Sequence, residues 1–362
     1  MISLSHVSPK RALIVSIILK LLFFVPTIFY LLLCRIRVGP IRIAFVVVQA
    51  LGHMLSDFEI ALNRCSMRNK LLVVPIGKPA NLEIFRVYRQ NSIVVPRFFR
   101  PSMVTIVNRI PTFKKWLLQE SIGGYDHELR AKAPILKGLS QFSNAGVQTD
   151  MAFLGLDFKQ PLVTLCVRDD SRISELNYRN SDINDFLPLI EYLTVHNYQV
   201  IRMGRRSETW LRKDIPGYFD YSSCKFQTDK LDLAIIEISS FVISTGTGLD
   251  DIAFSFRKPV LYMNTLPILI PNTSHLLKGV LPKLLWKTNK LLSFSDLCKF
   301  DLLNLNRTSQ FENFGITYTS NGAVEMVTFV EDYLSVRSNG FCLDMGTYSP
   351  ISRRWKSFNY RS

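Results

Sequence analysis

The chain lacks the marks of metal-centred and nucleotide-hydrolysing chemistry. No Asp-x-Asp, GxxxxGK[ST], HExxH or GxSxG occurs. A metal-bridged diphosphate site of the Asp-x-Asp kind, P-loop ATP hydrolysis, zinc proteolysis and α/β-hydrolase chemistry are therefore without their signatures. No GxGxxG follows the first strand-like run, which argues against a dinucleotide oxidoreductase. The six cysteines (Cys34, Cys65, Cys166, Cys224, Cys298 and Cys342) show no paired spacing and no CxxC. That excludes a disulfide framework and a zinc site and suits a reducing compartment. Acidic side chains are scarce, 29 against 44 Lys and Arg, for a net charge of +15. Such a surplus favours acidic partners: nucleic acid, anionic lipid or phosphorylated ligands. The bases form no long run. Arg202, Arg205 and Arg206 cluster, as do Arg353, Arg354 and Lys356, but without the aromatic interleaving of a nucleic-acid binder, and no nucleic-acid partner is expected. Internal repeats and low-complexity tracts are also missing.

What is present begins with a long apolar run, Ala12 to Cys34, flanked by Lys10 and Arg11 on one side and Arg35, Arg37 and Arg42 on the other. Its length is enough to span a bilayer, although Lys20 and Pro26 interrupt it. It is too long for a signal peptide, and no small-residue cleavage site follows. A membrane anchor is expected, spanning or lying in the interface with its cations on anionic lipid; the competing reading is a long buried core helix. Gly39-Pro40 ends the segment.

The 362 residues suffice for two core-bearing domains. In the first half, Ile41–Val48, Leu71–Pro75 and Ile93–Pro96 read as strands, and Ser56–Arg64, Ser102–Leu118 and Leu129–Lys137 as helices. In the second, strands at Pro161–Val167, Gln199–Met203, Phe241–Ile243 and Pro259–Met263 alternate with helices at Ile183–His196, Leu231–Ser239 and Asp250 onward. A last helix, Ala323–Leu334, is to be capped by Asn321. Such alternation predicts an α/β fold with parallel sheets covered on both faces. The expected divisions are 1–38 (anchor), 39–158, 159–336 and 337–362 (a basic tail).

Ligands of parallel sheets sit at the carboxyl ends of the strands. Three groups fall there: Arg168 after one strand; Arg202, Gly204 and Arg205 at another; and Ser244-Thr245-Gly246-Thr247-Gly248-Leu249 after a third. The last is a loop of small residues leading into a helix, whose amides are expected to be open to an anion; a tight turn with no ligand is the plainer alternative. Arginines beside such a loop make a diphosphate cradle, although a salt bridge to Asp169 or Asp170 also accounts for Arg168. Arg179 lies in the polar stretch Tyr178–Asp182, where Ser181 or Asp182 can cap the next helix. Gly52-His53 sits where the first strand meets its helix, and His53 is the candidate general base, with Asp57 and Glu59 near in sequence.

Gly52-His53, Val167-Arg168-Asp169, Tyr178-Arg179-Asn180-Ser181-Asp182-Ile183, Val200-Ile201-Arg202-Met203-Gly204 and Ser244-Thr-Gly-Thr-Gly-Leu249 together resemble a family of bacterial surface-polysaccharide glycosyltransferases. The resemblance runs from about Ile41 to Leu334. It implies the GT-B architecture, two Rossmann-like domains facing a cleft, here preceded by an N-terminal hydrophobic helix. The acceptor side is expected in 39–158 and the nucleotide-sugar side in 159–336. It further implies transfer of a sugar from a nucleoside-diphosphate sugar to a hydroxyl of a glycan or lipid-linked acceptor, with no bound metal and no cofactor beyond the donor itself. The setting would be the membrane surface on the cytoplasmic face of the inner membrane. Val167-Arg168-Asp169 is also similar to an Arg-containing motif of GT-B fucosyltransferases, but Asp169 stands where a second Arg is expected. Two other readings are a polyol-phosphate transferase on a similar fold and a non-catalytic membrane-bound scaffold of a polysaccharide assembly complex.

Overall fold

The computed structural model describes residues 22–66, 68–118, 136–139, 142, 152, 155–157, 159–169, 174–205, 207, 209–266, 277–303 and 305–338. The start of the apolar run, most of the helix expected over 129–137 and the basic tail beyond Ser338 lie outside them. The chain divides into two compact units, with the break between Gly138 and Leu139.

Among the described residues of the first unit, the first element is helix α1 (Phe24–Val38), which stops at Gly39 (φ +83°). A non-glycine residue is strained at that φ, and Pro40 cannot continue the helix. There follow β1 (Ile41–Val47), α2 (Leu51–Arg64), β2 (Lys70–Ile76), α3 (Leu82–Asn91), β3 (Ile93–Val94), α4 (Arg100–Arg109) and α5 (Pro111–Lys114). The strands form a parallel sheet in the order β1-β2-β3, with Ile41 opposite Lys70 and Leu72 opposite Ile93. Ile41, Ile43, Leu72 and Val74 share one core with Leu31 of α1 and Met103, Ile106 and Val107 of α4. Asn81 caps α3 by accepting from the Ile84 amide at 3.0 Å. The single helix expected over Ser102–Leu118 is broken at Ile110 (φ −99°, ψ 113°), because Pro111 disfavours helical backbone in the residue before it.

The second unit holds β4 (Leu162–Cys166), α6 (Leu187–Val195), β5 (Gln199–Met203), β6 (Tyr218–Asp220), α7 (Asp229–Ile238), β7 (Phe241–Ser244), α8 (Leu249–Ser255), β8 (Val260–Thr265) and β9 (Leu277–Pro282). All six strands pair in parallel in the order β6-β5-β4-β7-β8-β9. β4, β5, β7 and β8 are buried along their whole length, as strands covered on both faces are. Val163, Leu165, Ile243 and Leu261 pack with Ile190 and Leu193 of α6 and with Phe329 and Val330 of α11 (Ala323–Ser338). Each such side chain contributes about 1.5–3 kcal/mol on burial. Ahead of α6, Ile183–Phe186 winds as a 3₁₀ turn capped by Asp182, which accepts from the Asn184 amide. A second, antiparallel sheet was not legible in the sequence: β10 (Leu284–Lys287) pairs with β11 (Lys290–Leu291) and β12 (Ile316–Thr319), beside the short helices α9 (Phe294–Lys299) and α10 (Thr308–Asn313).

Asn321 does not serve as the expected cap of α11. Its side-chain amide donates to Asn264 Oδ1 at 2.8 Å and to the Pro282 carbonyl at 2.7 Å, tying the ends of β8 and β9 together. Among the described residues, no helix is long and apolar enough to cross a membrane.

Candidate functional site

The order of the second sheet fixes where a ligand can lie. From β4 the chain moves outward through β5 and β6, then returns to the other side of β4 for β7, β8 and β9. The crevice of such a sheet opens at the carboxyl ends of the two strands between which the direction reverses, here β4 and β7. Arg168 lies just beyond β4, and the Ser244–Gly248 loop starts at the last residue of β7.

Backbone contacts draw these segments together. The Arg168 amide donates to Thr245 Oγ1 at 2.9 Å, and the Arg168 carbonyl accepts from the Ser181 amide at 2.7 Å. The Arg179 guanidinium donates to the Gly246 carbonyl. Gly246 has φ +88°, and a Cβ there would lie 3.6 Å from Arg179 Nη2 and 3.8 Å from Thr265 Cγ2. Arg168, Arg179, Ser181, Thr245, Gly246 and Thr265 therefore form one polar cluster at the reversal point.

The cluster has unused hydrogen-bonding capacity. Arg179 Nε, Asn180 Oδ1, Ser181 Oγ and Thr265 Oγ1 are all buried atoms without a hydrogen-bond partner. Ser181 and Thr265 are only 7% and 1% exposed. An orphaned buried polar group costs about 1–3 kcal/mol, so four at one spot mark a place built to receive polar atoms from elsewhere.

Lys283, which the sequence reading missed, completes the cluster. It lies between β9 and β10 and is 5% exposed. Its Nζ donates to the Tyr178 carbonyl at 3.1 Å and to the Asn180 carbonyl, so the ammonium grips the backbone on either side of Arg179. Burial pulls its pKa down to about 8, with Asp185 opposing. No local motif surrounds it; a lysine flanked by apolar residues in Val280-Leu-Pro-Lys283-Leu-Leu-Trp286 was the only signal.

The Ser244–Gly248 loop is less open than expected. The Thr245 amide donates to the Cys166 carbonyl at 3.0 Å, the Gly246 amide to Ser244 Oγ at 3.0 Å, the Thr247 amide to Asp250 Oδ2 at 2.8 Å and the Leu249 amide to Thr247 Oγ1 at 3.2 Å. These four amides are engaged within the site rather than free for an anion. Asp250 is buried, and that burial, reinforced by Asp251, pushes its carboxyl up to about 7 against the hydrogen bonds from Ser244 and Thr247. Burial and the neighbouring Asp250 also hold the Cys166 thiol well above its ordinary range, so it is protonated and no nucleophile.

Two expected ligands turn away from the cluster. Arg202 is fully buried and contacts Asp169 Oδ2 at 2.8 Å, Asp220 Oδ2 at 3.3 Å and the Thr209 carbonyl at 2.6 Å. It has no surface to offer a phosphate; it neutralises two carboxylates, Asp220 from β6 on one side of β5 and Asp169 from beyond β4 on the other. That also engages Asp169, the supposed partner of Arg168, while Asp170 lies outside the described residues. Arg205 contacts Asp229 Oδ1 at 2.7 Å and Asp232 Oδ2 at 2.6 Å. Gly204 stays in its turn, with its carbonyl accepting from Gln227 at 2.8 Å.

In the first unit, His53 falls in the first turn of α2, at the carboxyl end of β1. Its side chain is 37% exposed, and Nδ1 stands 3.7 Å from Oδ1 of the buried Asp57, one turn on. That separation is longer than a hydrogen bond, so the carboxylate favours a charged ring by proximity alone. Glu59 is buried in the same helix. Among the described residues no three His, Cys, Asp or Glu side chains converge as a metal site.

No protein-family model matches the chain, and no curated protein matches it. Solved structures with partial likeness include the dodecameric iron-containing heptosyltransferase TibC in complex with ADP-D-beta-D-heptose, from enterotoxigenic E. coli H10407 (15% identity, TM-score 0.39, 67% of this chain and 61% of that one). The chain thus spans less than two thirds of TibC. Others are the E. coli ADP-heptose LPS heptosyltransferase II (14%, TM-score 0.38, 73% and 97%) and a glycosyl transferase family 9 protein from Veillonella parvula DSM 2008 (14%, TM-score 0.36, 62% and 79%). Likeness of this degree assigns no family.

Proposed function

We propose that the chain is a glycosyltransferase that moves a sugar from a nucleoside-diphosphate sugar to a hydroxyl of a glycan or lipid-linked acceptor in surface-polysaccharide synthesis. The observation that carries the reading is the cluster at the β4/β7 reversal, where two arginines and four orphaned buried polar atoms meet. The sequence resemblance of the same segments to polysaccharide glycosyltransferases supports it. In this reading Arg168 and Arg179 hold the diphosphate, while Ser181 and Thr265 take further polar atoms of the donor. The acceptor oxygen bonds to the anomeric carbon as the bond from that carbon to the diphosphate oxygen breaks. The electron pair leaves with the diphosphate, whose growing charge the arginines stabilise. His53 is the proposed general base for the acceptor proton.

Calorimetry with a nucleoside diphosphate tests the binding half. Arg168→Ala and Arg179→Ala are each expected to weaken binding by about 1.5–3 kcal/mol, the scale of a hydrogen bond to a charged group. Arg205→Ala, whose guanidinium is held by Asp229 and Asp232, should leave affinity near that of the wild type. Equal affinity in all three variants would remove the cluster from donor binding. Product analysis with a panel of nucleotide sugars and nucleotide-activated polyols separates glycosyl transfer from polyol-phosphate transfer, and a chain that binds no nucleotide would be a scaffold.

A further inference from the structure

The structure assigns an interfacial membrane-docking face to α1, a function separate from the site above. Seven of the eighteen exposed large hydrophobic side chains among the described residues fall between Leu22 and Val38. They are not scattered. At 3.6 residues per turn, Leu22, Val25, Phe29, Leu32, Leu33 and Ile36 project within an arc of about 100°. Val25, Phe29 and Ile36 are 71%, 63% and 79% exposed. The opposite face is occupied: Phe24, Ile28, Leu31 and Cys34 pack into the core of the first unit, and Thr27 is buried. A helix apolar on both faces, with only one covered, needs a second apolar phase.

Length and charge decide which phase. The described helix runs for fifteen residues, about 22 Å against a hydrocarbon core about 30 Å thick. Docking of one face on the protein core also prevents the helix from being surrounded by lipid. It can lie along a bilayer surface with its free face in the acyl boundary. Exposed Arg35 and Arg37 stand at its carboxyl end, the guanidinium of Arg35 over the Trp116 ring at 5.1 Å. Beside its start, Phe98 is 52% exposed and lies 5.9 Å from the Phe23 ring, with exposed Arg97 adjacent. Cations and an aromatic side chain rimming an apolar stripe match an anionic lipid surface. They would oppose pairing with a second copy that carries the same cations and a net charge of +15.

Co-sedimentation of the full chain with vesicles tests this. The wild type should pellet with phosphatidylcholine vesicles containing one third phosphatidylglycerol, and less with phosphatidylcholine alone or at high salt. Val25→Asp/Phe29→Asp/Ile36→Asp should lower partitioning by about tenfold or more with an unchanged melting temperature, since the three side chains oppose the packed face. If that variant folds poorly, Phe29→Ser/Ile36→Ser is the milder probe, with a smaller loss expected. A wild type that stays in the supernatant, or a folded variant that pellets equally, overturns the assignment. So does a wild-type dimer that the variant dissociates while vesicle binding holds, because the face is then an interface between copies.

Discussion

Asp250 gives the sharpest test of how the β7 loop is built. Its carboxyl lies buried at the head of α8 and titrates near 7 in the fold, against an ordinary value of 3.8. The folded chain therefore holds this proton more tightly than the unfolded chain. The stabilisation is complete below pH 3.8, declines as pH rises, and is gone above about pH 7. At 1.36 kcal/mol per unit the whole effect is roughly 4 kcal/mol, of which about 2–3 kcal/mol disappears between pH 5 and pH 8. Lys283, lowered from 10.5 to about 8, begins to titrate at the top of this window, but it is common to wild type and an Asp250 variant and cancels in their difference. Asp250→Asn removes the titration and keeps one oxygen to accept from the Thr247 amide. Urea unfolding of wild type and variant at pH 5, 6, 7 and 8 should show the wild type losing stability relative to the variant by about 2–3 kcal/mol across the series. The charged carboxylate also bonds the loop whose Gly246 carbonyl accepts from Arg179, so wild-type nucleotide affinity should weaken over the same window and that of Asp250→Asn should not. Parallel stability curves would show that the carboxylate is ionised throughout and that the loop holds it by hydrogen bonds alone.

Other perturbations separate the parts of the site. Lys283→Met removes the grip on the Tyr178 and Asn180 carbonyls, so nucleotide affinity should fall by about tenfold; an unchanged Kd would place Lys283 outside donor binding. Turnover should survive EDTA, because the cationic cluster can do a metal's electrostatic work; a complete loss restored by Mg²⁺ or Mn²⁺ would contradict the mechanism. His53→Ala should lower turnover by about 10² to 10⁴ with little change in donor affinity. Asp57→Asn should shift the pH profile of the remaining activity. Equal turnover in the His53 variant would pass the role of base to Asp57 or Glu59.

The alternation of buried strands and helices was legible because period and length alone specify it. Pro161–Val167, Gln199–Met203 and Pro259–Met263 are short runs rich in apolar residues and bounded by polar or turn residues, as buried parallel strands are, and β4, β5 and β8 lie there. The strand ends pointed to Arg168, to Arg202, Gly204 and Arg205, and to the β7 loop; Arg202 and Arg205 pair with acids instead, and Arg179, singled out only from its polar stretch, is the arginine that reaches the loop. The antiparallel sheet β10–β12 was not, because Leu284–Lys287 is short and its partner Ile316–Thr319 lies beyond two helices. A pairing between segments so far apart leaves no local trace.

Arg168 and Arg202 look alike in sequence, each near the end of an apolar run, and the fold gives them opposite fates. The difference is position along the strand. Arg168 stands two residues beyond β4, where the backbone leaves the sheet. Arg202 is the penultimate residue of β5, in register with Leu165 on one side and Asp220 on the other. A residue inside a central strand must point to a covered face, so a cation there has to bring its own anions. Asp220 arrives from the neighbouring strand and Asp169 from the end of β4. The strand run Gln199–Met203 already contained Arg202; what the sequence could not show was which acids the fold would set beside it. The same pairing bears on function. With Asp169 held by Arg202, the residue following Arg168 is fixed in place, and its backbone with it. Arg168 is thereby anchored at its own amide by Thr245, at its carbonyl by Ser181 and through Asp169 on its far side. A buried ion pair that can touch no ligand thus supports the residue proposed to bind one.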